Sequence, residues 1–405
     1  MKTFFEVMQI VIFLWLSYWF VIGLFGFGKA KKLANHAPEN RFLLLIPANN
    51  EAAVISDILE NLKQIDYPDH LYDICLIADN CQDNTAEIGR SKDVMVLEHF
   101  YLPGEKKGKP YAIRYAIETV DLNQYDAICV FDADNLVSRN YLEQMNNHLC
   151  AGEKIVQCYI DTKNPTDNFV TIAFDTSFRV MNRSWQLAKS RLGLSNVIGG
   201  TGFCVEMNVF REVGWTAKSL TEDLEFTMQA LLRGVKTTWC HHAKVYDEKP
   251  TGFKDSCIQR LRWSRGHWDV CFKYTAPLLK RAFIKGDLSA FDSVLYLLNP
   301  GRIAAAFIMS SFFYIALVFG HTLYDTIIPM WVYTFMLLSN FMYIHISLKD
   351  AKHKVNTFKA YFYLNLISLS NIPLYFWSFL TFSKKVWVTT KHTKSSSLQQ
   401  VEDLV

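Results

Sequence analysis

The stretch "YDAICVFDADNLVSRNYLEQMNNHL", Tyr125 to Leu149, decides the architecture of this chain. An apolar run, Ala127 to Phe131, is broken by Asp132 and Asp134, and a helix-forming segment follows. A short apolar run closed by turn-forming polar residues reads as a buried strand, and the longer segment behind it as a helix. The same plan occurs twice upstream. "RFLLLIPANNE", Arg41 to Glu51, has an apolar run from Phe42 to Ile46 closed by Pro47 and two asparagines, with helix-forming "AAVISDILENLKQI" behind it. "YDICLIADNCQDNTAEI", Tyr72 to Ile88, ends its strand in Asp79 and Asn80. Strands alternating with helices predict an α/β fold with a mostly parallel sheet, whose ligand crevice lies beyond the carboxyl ends of the strands. The acids and amides collect at those ends.

Asp132 and Asp134 are separated only by Ala133. In extended chain both carboxylates point the same way, and two of them together repel unless a cation sits between. Mg²⁺ or Mn²⁺, held by one or two carboxylates plus substrate phosphates, suits such a pair. A D-x-D alone is common in solvated turns; its position after a buried strand favours the metal. "SLTEDLEFTMQALLRG" from Ser219 adds Glu222, Asp223 and Glu225 at the start of a helix, where Thr221 and the acids also serve as an ordinary N-terminus. Just upstream, "IGGTGFCVE" holds Gly199, Gly200 and Gly202, which allow a ligand close to the backbone. An acid at the rim of such a crevice can act as general base towards a hydroxyl.

Two segments are false leads. "GEKKGKP" from Gly104 has three residues between its glycines and Pro110 after the lysine, so it is not a P-loop, although Lys107 or Lys109 can still meet a phosphate as a point charge. The adjacent Cys240, His241 and His242 cannot easily close a tetrahedral zinc site.

Composition sets the remaining bounds. The 405 residues are half apolar, and 42 Lys+Arg nearly balance 39 Asp+Glu, leaving a net charge of +3. A nucleic-acid binder would carry a basic domain or stripe, so nucleic acid is excluded as an expected partner. Nine scattered cysteines read as free thiols in a reducing compartment. "MQIVIFLWLSYWFVIGLFGFG", Met8 to Gly28, is uncharged and about 20 residues long, enough to span a bilayer. The lysines after it place the next, polar region in the cytoplasm. Apolar runs return at Arg302, Thr326 and Ala360. The expected organisation is a transmembrane helix in 1–30, a catalytic domain in 31–265, amphipathic interface helices in 266–300, about three spans in 301–383 and a basic or polar tail in 384–405. "HTLYDT" is expected outside and "KDAKHKVNTFK" inside. The last run, broken by Asn371 and Pro373, is either a crossing or re-entrant.

Asp79, "DAD", "TED" and "QRLRW", in that order, resemble the membrane-bound inverting family 2 glycosyltransferases, the group of cellulose, hyaluronan, chitin and poly-N-acetylglucosamine synthases. The resemblance covers about Arg41 to Trp268. It implies a GT-A fold, that is, a Rossmann-like, mostly parallel mixed sheet in the cytosol, with transmembrane and interface helices. It also implies a UDP-sugar donor, Mg²⁺ or Mn²⁺, and a polysaccharide or lipid-linked acceptor at the plasma membrane, in a multi-pass protein with a possible homo-oligomer or export partner. Carried over residue by residue, Asp223 is the base and Arg262 the group that meets the departing UDP. Pro47, Asn49, Glu51, Asp79, Lys109, Asp132 and Gln259, with Arg262, belong to the donor site, and Asp134 to the metal. Gly200, Thr201, Gly202, Glu222 and Trp263 belong to the acceptor side. The expected reaction extends a β-linked polysaccharide from UDP-glucose or UDP-N-acetylglucosamine; the alternative is transfer of one sugar to a lipid. "PANNE" departs from the family's P-A-Y-N-E and removes an aromatic residue near the nucleotide.

Overall fold

The computed structural model describes residues 2–102, 104–318, 327–351, 355–385 and 395–404. Eight strands form one sheet: β1 (Phe42–Ala48), β2 (Tyr72–Asp79), β3 (Met95–His99), β4 (Ala127–Val130), β5 (Leu136–Val137), β6 (Ile155–Thr162), β7 (Phe203–Glu206) and β8 (Thr237–Asp247). Their order is β3-β2-β1-β4-β7-β6-β8-β5. The β3-β2-β1-β4 half is parallel, as the alternation predicts. β7 runs antiparallel to both β4 and β6, so the whole sheet is mixed.

β1 reads as a continuous apolar run because helices cover both faces of the sheet. Phe42, Leu44 and Ile46 point into one core with the helix Ile55–Leu62, while Leu43 and Leu45 point into the other with the helix Lys109–Thr119. The chain leaves β1 and β2 through Asn50 (φ 57°) and Asn80 (φ 54°). Asparagine is among the few residues that adopt this left-handed conformation readily, which explains an amide at each strand end.

The helix Phe253–Lys285 is continuous, so "QRLRW" and the amphipathic segment after it share one rod. With the helix Leu288–Leu297 it builds a third apolar cluster against the helix Glu222–Leu232. Among the described residues one helix, Lys2–Phe27, is long and apolar enough to cross a membrane. The later apolar runs form the helices Asn299–Val318, Met330–Ser347 and Thr357–Thr381. The last lies along Phe253–Lys285: Arg260 donates to the carbonyl of Ile367, the Ser370 hydroxyl and Asn371 Oδ1, and Arg265 to the Thr381 hydroxyl. The segment "HTLYDT", residues 352–354 of "KDAKHKVNTFK", and residues 386–394 of the basic tail lie outside the described residues.

Candidate active site

One cavity of about 1300 Å³ opens at the carboxyl ends of β1, β2 and β4. A single small-molecule site occupies roughly 300–1,000 Å³, so this space has room for a donor and part of an acceptor together. Pro47, Asn49, Glu51, Asp79, Lys109, Asp132, Asp134, Gly200, Thr201, Glu222, Asp223, Gln259, Arg262 and Trp263 all line it. Gly202 does not.

At the β1–β2 end, Asn49 Nδ2 donates to the Asp79 carbonyl at 2.6 Å. The residue that replaces an aromatic in "PANNE" therefore ties two strand ends together. Glu51 N–H donates to the Thr85 hydroxyl, fixing the turn from the other side. Asp79 is itself held by two groups that sequence reasoning missed. His99 Nδ1 lies 2.8 Å from one carboxylate oxygen, and the Tyr101 hydroxyl donates to the other. Tyr101 also accepts from the Gly108 N–H. Burial pushes the Asp79 carboxyl up, while the Tyr101 and His99 hydrogen bonds oppose it. Tyr101 lines the cavity and supplies an aromatic ring near the position where "PANNE" lacks one. The available signal was the β-rich run "VMVLEHFY", whose end brings both rings beside Asp79.

The "DAD" turn is held by Thr201 and Asn135. Asp132 N–H donates to the Thr201 hydroxyl at 3.1 Å and to Asn135 Oδ1 at 3.1 Å. The Thr201 hydroxyl donates to that same Asn135 oxygen. Thr201 was expected on the acceptor side, yet its side chain positions Asp132. Gly202, also expected there, is a packing residue: with φ at 63°, a Cβ would strike Cys158 and Val245 at 2.5–2.6 Å. The reason is local, because the strand β7 begins at the next residue and draws the chain into the sheet.

Lys109 Nζ bridges Asp132 and the Gly200 carbonyl. Burial pulls the Lys109 ammonium down, but Asp132, Glu222 and Asp223 outweigh it and its pKa ends raised. Arg262, from the helix Phe253–Lys285, lines the same cavity and lies within electrostatic reach of Glu222, Asp132 and Asp223. Asp223 stands in the first turn of its helix, and a Cβ added at Gly200 would lie 3.3 Å from its Oδ2. The φ of 88° at Gly200 favours glycine, and a side chain there would also press on the carboxylate. Two cations thus sit among three carboxylates, with space between them.

Burial, with Asp223 beside it, pushes the Glu222 carboxyl up to about 7 from an ordinary 4.5. A carboxyl that is raised in the folded state holds its proton there after the unfolded chain has lost it. Its contribution to stability therefore falls as pH rises from about 4.5 to about 7. Glu222→Gln removes that dependence. In melting curves between pH 5 and 8, the variant gains on the wild type as pH rises; parallel curves would refute the assignment.

Among the described residues no group of three or more His, Cys, Asp or Glu side chains gathers to form a metal cage. The cavity does hold Asp134, 2 % exposed, beside Asp132. Hard divalent cations bound with substrate phosphates use one or two protein carboxylates and take their remaining oxygens from ligand and water, so these residues fit such an ion. Gln259 Oε1 is buried without a hydrogen-bond partner, a second mark of a site built for a ligand.

Beyond Trp263 the cavity continues to the N-terminal apolar helix. Leu16, Trp19, Phe20 and Gly23 line it at helical spacing, with Trp185, Tyr296, Met336 and Tyr343. Trp19 stacks on Trp185 with ring centroids 3.7 Å apart. Trp185 is delivered by a π-helical turn, Asn182–Leu187, a distortion frequent at functional sites.

A model of the family described as glycosyltransferase like family 2 matches residues 38–266, more than half of the chain. The chain belongs to this family. The probable glycosyltransferase YdaM of Bacillus subtilis (strain 168) is 27% identical over 334 residues, covering 78% of this chain and 76% of that protein. A beta-monoglucosyldiacylglycerol synthase of Nostoc sp. (strain PCC 7120) is 26% identical over 265 residues, 63% of this chain. A poly-beta-1,6-N-acetyl-D-glucosamine synthase of Staphylococcus aureus (strain N315) is 24% identical over 264 residues, also 63% of this chain. This glycosyltransferase chain aligns with 54% of the first synthase and 61% of the second. A mannosyltransferase from Pyrobaculum calidifontis, solved in complex with GDP-Man and Mn²⁺, superposes with a TM-score of 0.53 over 86% of this chain and 98% of its own, at 14% identity. That likeness shows the GT-A type of fold.

Proposed function

We propose that this chain transfers glucose or N-acetylglucosamine from a UDP-sugar, with inversion, to the end of a growing β-linked polysaccharide. It works at the cytoplasmic face of the cell membrane, as a multi-pass protein, alone, as a homo-oligomer or with an export partner. The observation that carries this reading is the grouping of Asp223, Lys109 and Arg262 around one cavity at the strand ends.

The acceptor hydroxyl gives its proton to Asp223 as its oxygen forms a bond to the anomeric carbon. The bond from that carbon to the diphosphate oxygen breaks on the opposite face, and UDP leaves with the electron pair. Arg262 and Lys109 meet the charge that develops on the diphosphate, the fork of the arginine matching two of its oxygens. Mg²⁺ or Mn²⁺ at Asp134, when bound, neutralises part of the same charge. Trp263 offers a ring face to the acceptor sugar. Asp79, with His99 and Tyr101, holds the nucleoside end.

A second reading, transfer of one sugar to a lipid, is favoured by a specific observation: the cavity is continuous from Asp223 to apolar residues of the helix Lys2–Phe27. Purified protein in lipid nanodiscs, supplied with a panel of radiolabelled UDP-sugars and Mn²⁺, separates the two. Polymer of graded length supports the first reading; one organic-soluble glycolipid supports the second. UDP binding without UDP release under both acceptor conditions would sink both.

A further inference from the structure

The chain after the last apolar helix returns to the catalytic domain. The helix Leu398–Leu404 buries Leu398 and Val401 against Leu136 and Tyr246. The Glu402 carboxylate hydrogen-bonds the Tyr246 hydroxyl, whose pKa burial already pushes up. Ahead of the helix, the Ser395 hydroxyl and the Ser396 N–H both donate to the Asp57 carboxylate, at 3.0 and 2.9 Å.

The two residues covered by this tail support Asp134. Leu136 is two positions beyond it, in β5, which has only two residues and lies at the sheet edge. Tyr246 pairs with Leu136 across β5–β8 and is two positions before Glu248, whose N–H donates to Asp134 Oδ2 at 3.2 Å. A pairing this short is marginal by itself and needs backing. Asn61 supplies one support, exchanging hydrogen bonds with both the N–H and the carbonyl of Val137. Lys163 Nζ donates to the Asp134 carbonyl, and Ser138 and Lys244 exchange hydrogen bonds just beyond β5; the tail adds apolar cover to these.

We propose that residues 395–404 form a latch that holds the Asp134 turn in register, so that Leu398, Val401 and Glu402 are positioning residues for the cation bound with the donor diphosphate. This rests on the donor-site reading above. No latch residue touches the cavity, so a change in cation affinity on removing it must pass through the elements the tail contacts, β5, β8 and the helix Ile55–Leu62.

The test is Mn²⁺ binding in the presence of UDP, followed by the loss of the free-ion EPR signal, on full-length protein in nanodiscs. Releasing the tail with Leu398→Asp plus Val401→Asp is expected to raise the Mn²⁺ dissociation constant by about tenfold, the lower end of the loss when partners that orient a metal ligand are removed. Metal-free UDP affinity stays unchanged, and the conservative Val401→Ile keeps wild-type behaviour. Asp57→Ala, which removes the polar anchor and leaves the apolar contacts of Leu398 and Val401 in place, is expected to give a smaller rise and guards against misfolding of the double variant. Unchanged Mn²⁺ affinity in both variants, with wild-type binding intact, overturns the latch and leaves the transferase reading standing. Wild-type protein that binds neither UDP nor Mn²⁺ overturns both.

Discussion

Asp223→Asn is expected to lower the turnover number by about 10²–10⁴-fold, the range that a positioned general base contributes, while the affinity for UDP changes little. Asparagine keeps the shape of the side chain and loses the basic oxygen. Glu222 is the rival base. It is adjacent in sequence, buried and pushed up to about 7, so near neutral pH a substantial fraction of it carries a proton. Asp223 is raised as well, first by burial, but the Leu224 N–H, Lys109 and Arg262 oppose that rise. Lys109 and Arg262 pull on Glu222 in the same way, so what singles out Asp223 is its place against the Gly200 backbone. Its Oδ2 lies against Gly200, whose carbonyl anchors Lys109, so the proposed base and the proposed diphosphate cation are referred to the backbone of one residue. UDP release with the preferred donor, beside calorimetric UDP binding, checks the assignment. A Glu222→Gln enzyme that is dead beside an active Asp223→Asn enzyme would reverse the two roles.

The parts of this site that were legible in the sequence are those where chemistry and local structure coincide. The runs before Asp79 and "DAD" are strands because buried parallel strands must be apolar throughout, and their first polar residues must then stand at the crevice. The helix after "TED" was legible for the same kind of reason, since its first turn gathers acids where free N–H groups favour them. What sequence reasoning missed was set by tertiary contact. Nothing near Thr201 in the chain says that its hydroxyl will meet Asn135, 66 positions away. Gly202 looks like a second Gly200, and only the neighbouring strand separates them, by turning its missing side chain towards Cys158. Tyr101 sits in a segment with no motif, and its role depends on β3 pairing with β2 so that His99 is opposite Asp79. The tail contact is the extreme case, joining Ser395 to Asp57 across 338 positions.

Arg262→Ala is expected to reduce turnover by about 10²–10³-fold, the usual cost of removing one donor aimed at developing charge, whereas Arg265→Ala, which removes a hydrogen bond outside the cavity, leaves turnover within about twofold, a barrier change of about 0.4 kcal/mol. The contrast follows from helical geometry together with the partner each arginine finds. Arg260, Arg262 and Arg265 crowd into six positions of one helix, but 3.6 residues make a turn, so Arg262 points nearly opposite to Arg260. Arg260 is accordingly spent on the helix Thr357–Thr381, through Ile367, Ser370 and Asn371; Arg265, only about 60° round the helix from Arg262, is kept out of the cavity by its hydrogen bond to the Thr381 hydroxyl. Arg262 alone of the three turns to the cavity, where burial pulls its pKa down and Glu222, Asp132 and Asp223 hold it up. Its charge is thus kept in place by the carboxylates that surround the donor, ready for the diphosphate without reorganisation. Arg262→Lys separates charge from shape: the ammonium retains the charge but not the planar fork, so it is expected to recover only part of the loss. Turnover of the three variants with a saturating donor decides this, and an Arg265→Ala enzyme as impaired as Arg262→Ala would mean that the helix acts through its packing on the helix Thr357–Thr381 rather than through the arginine in the cavity.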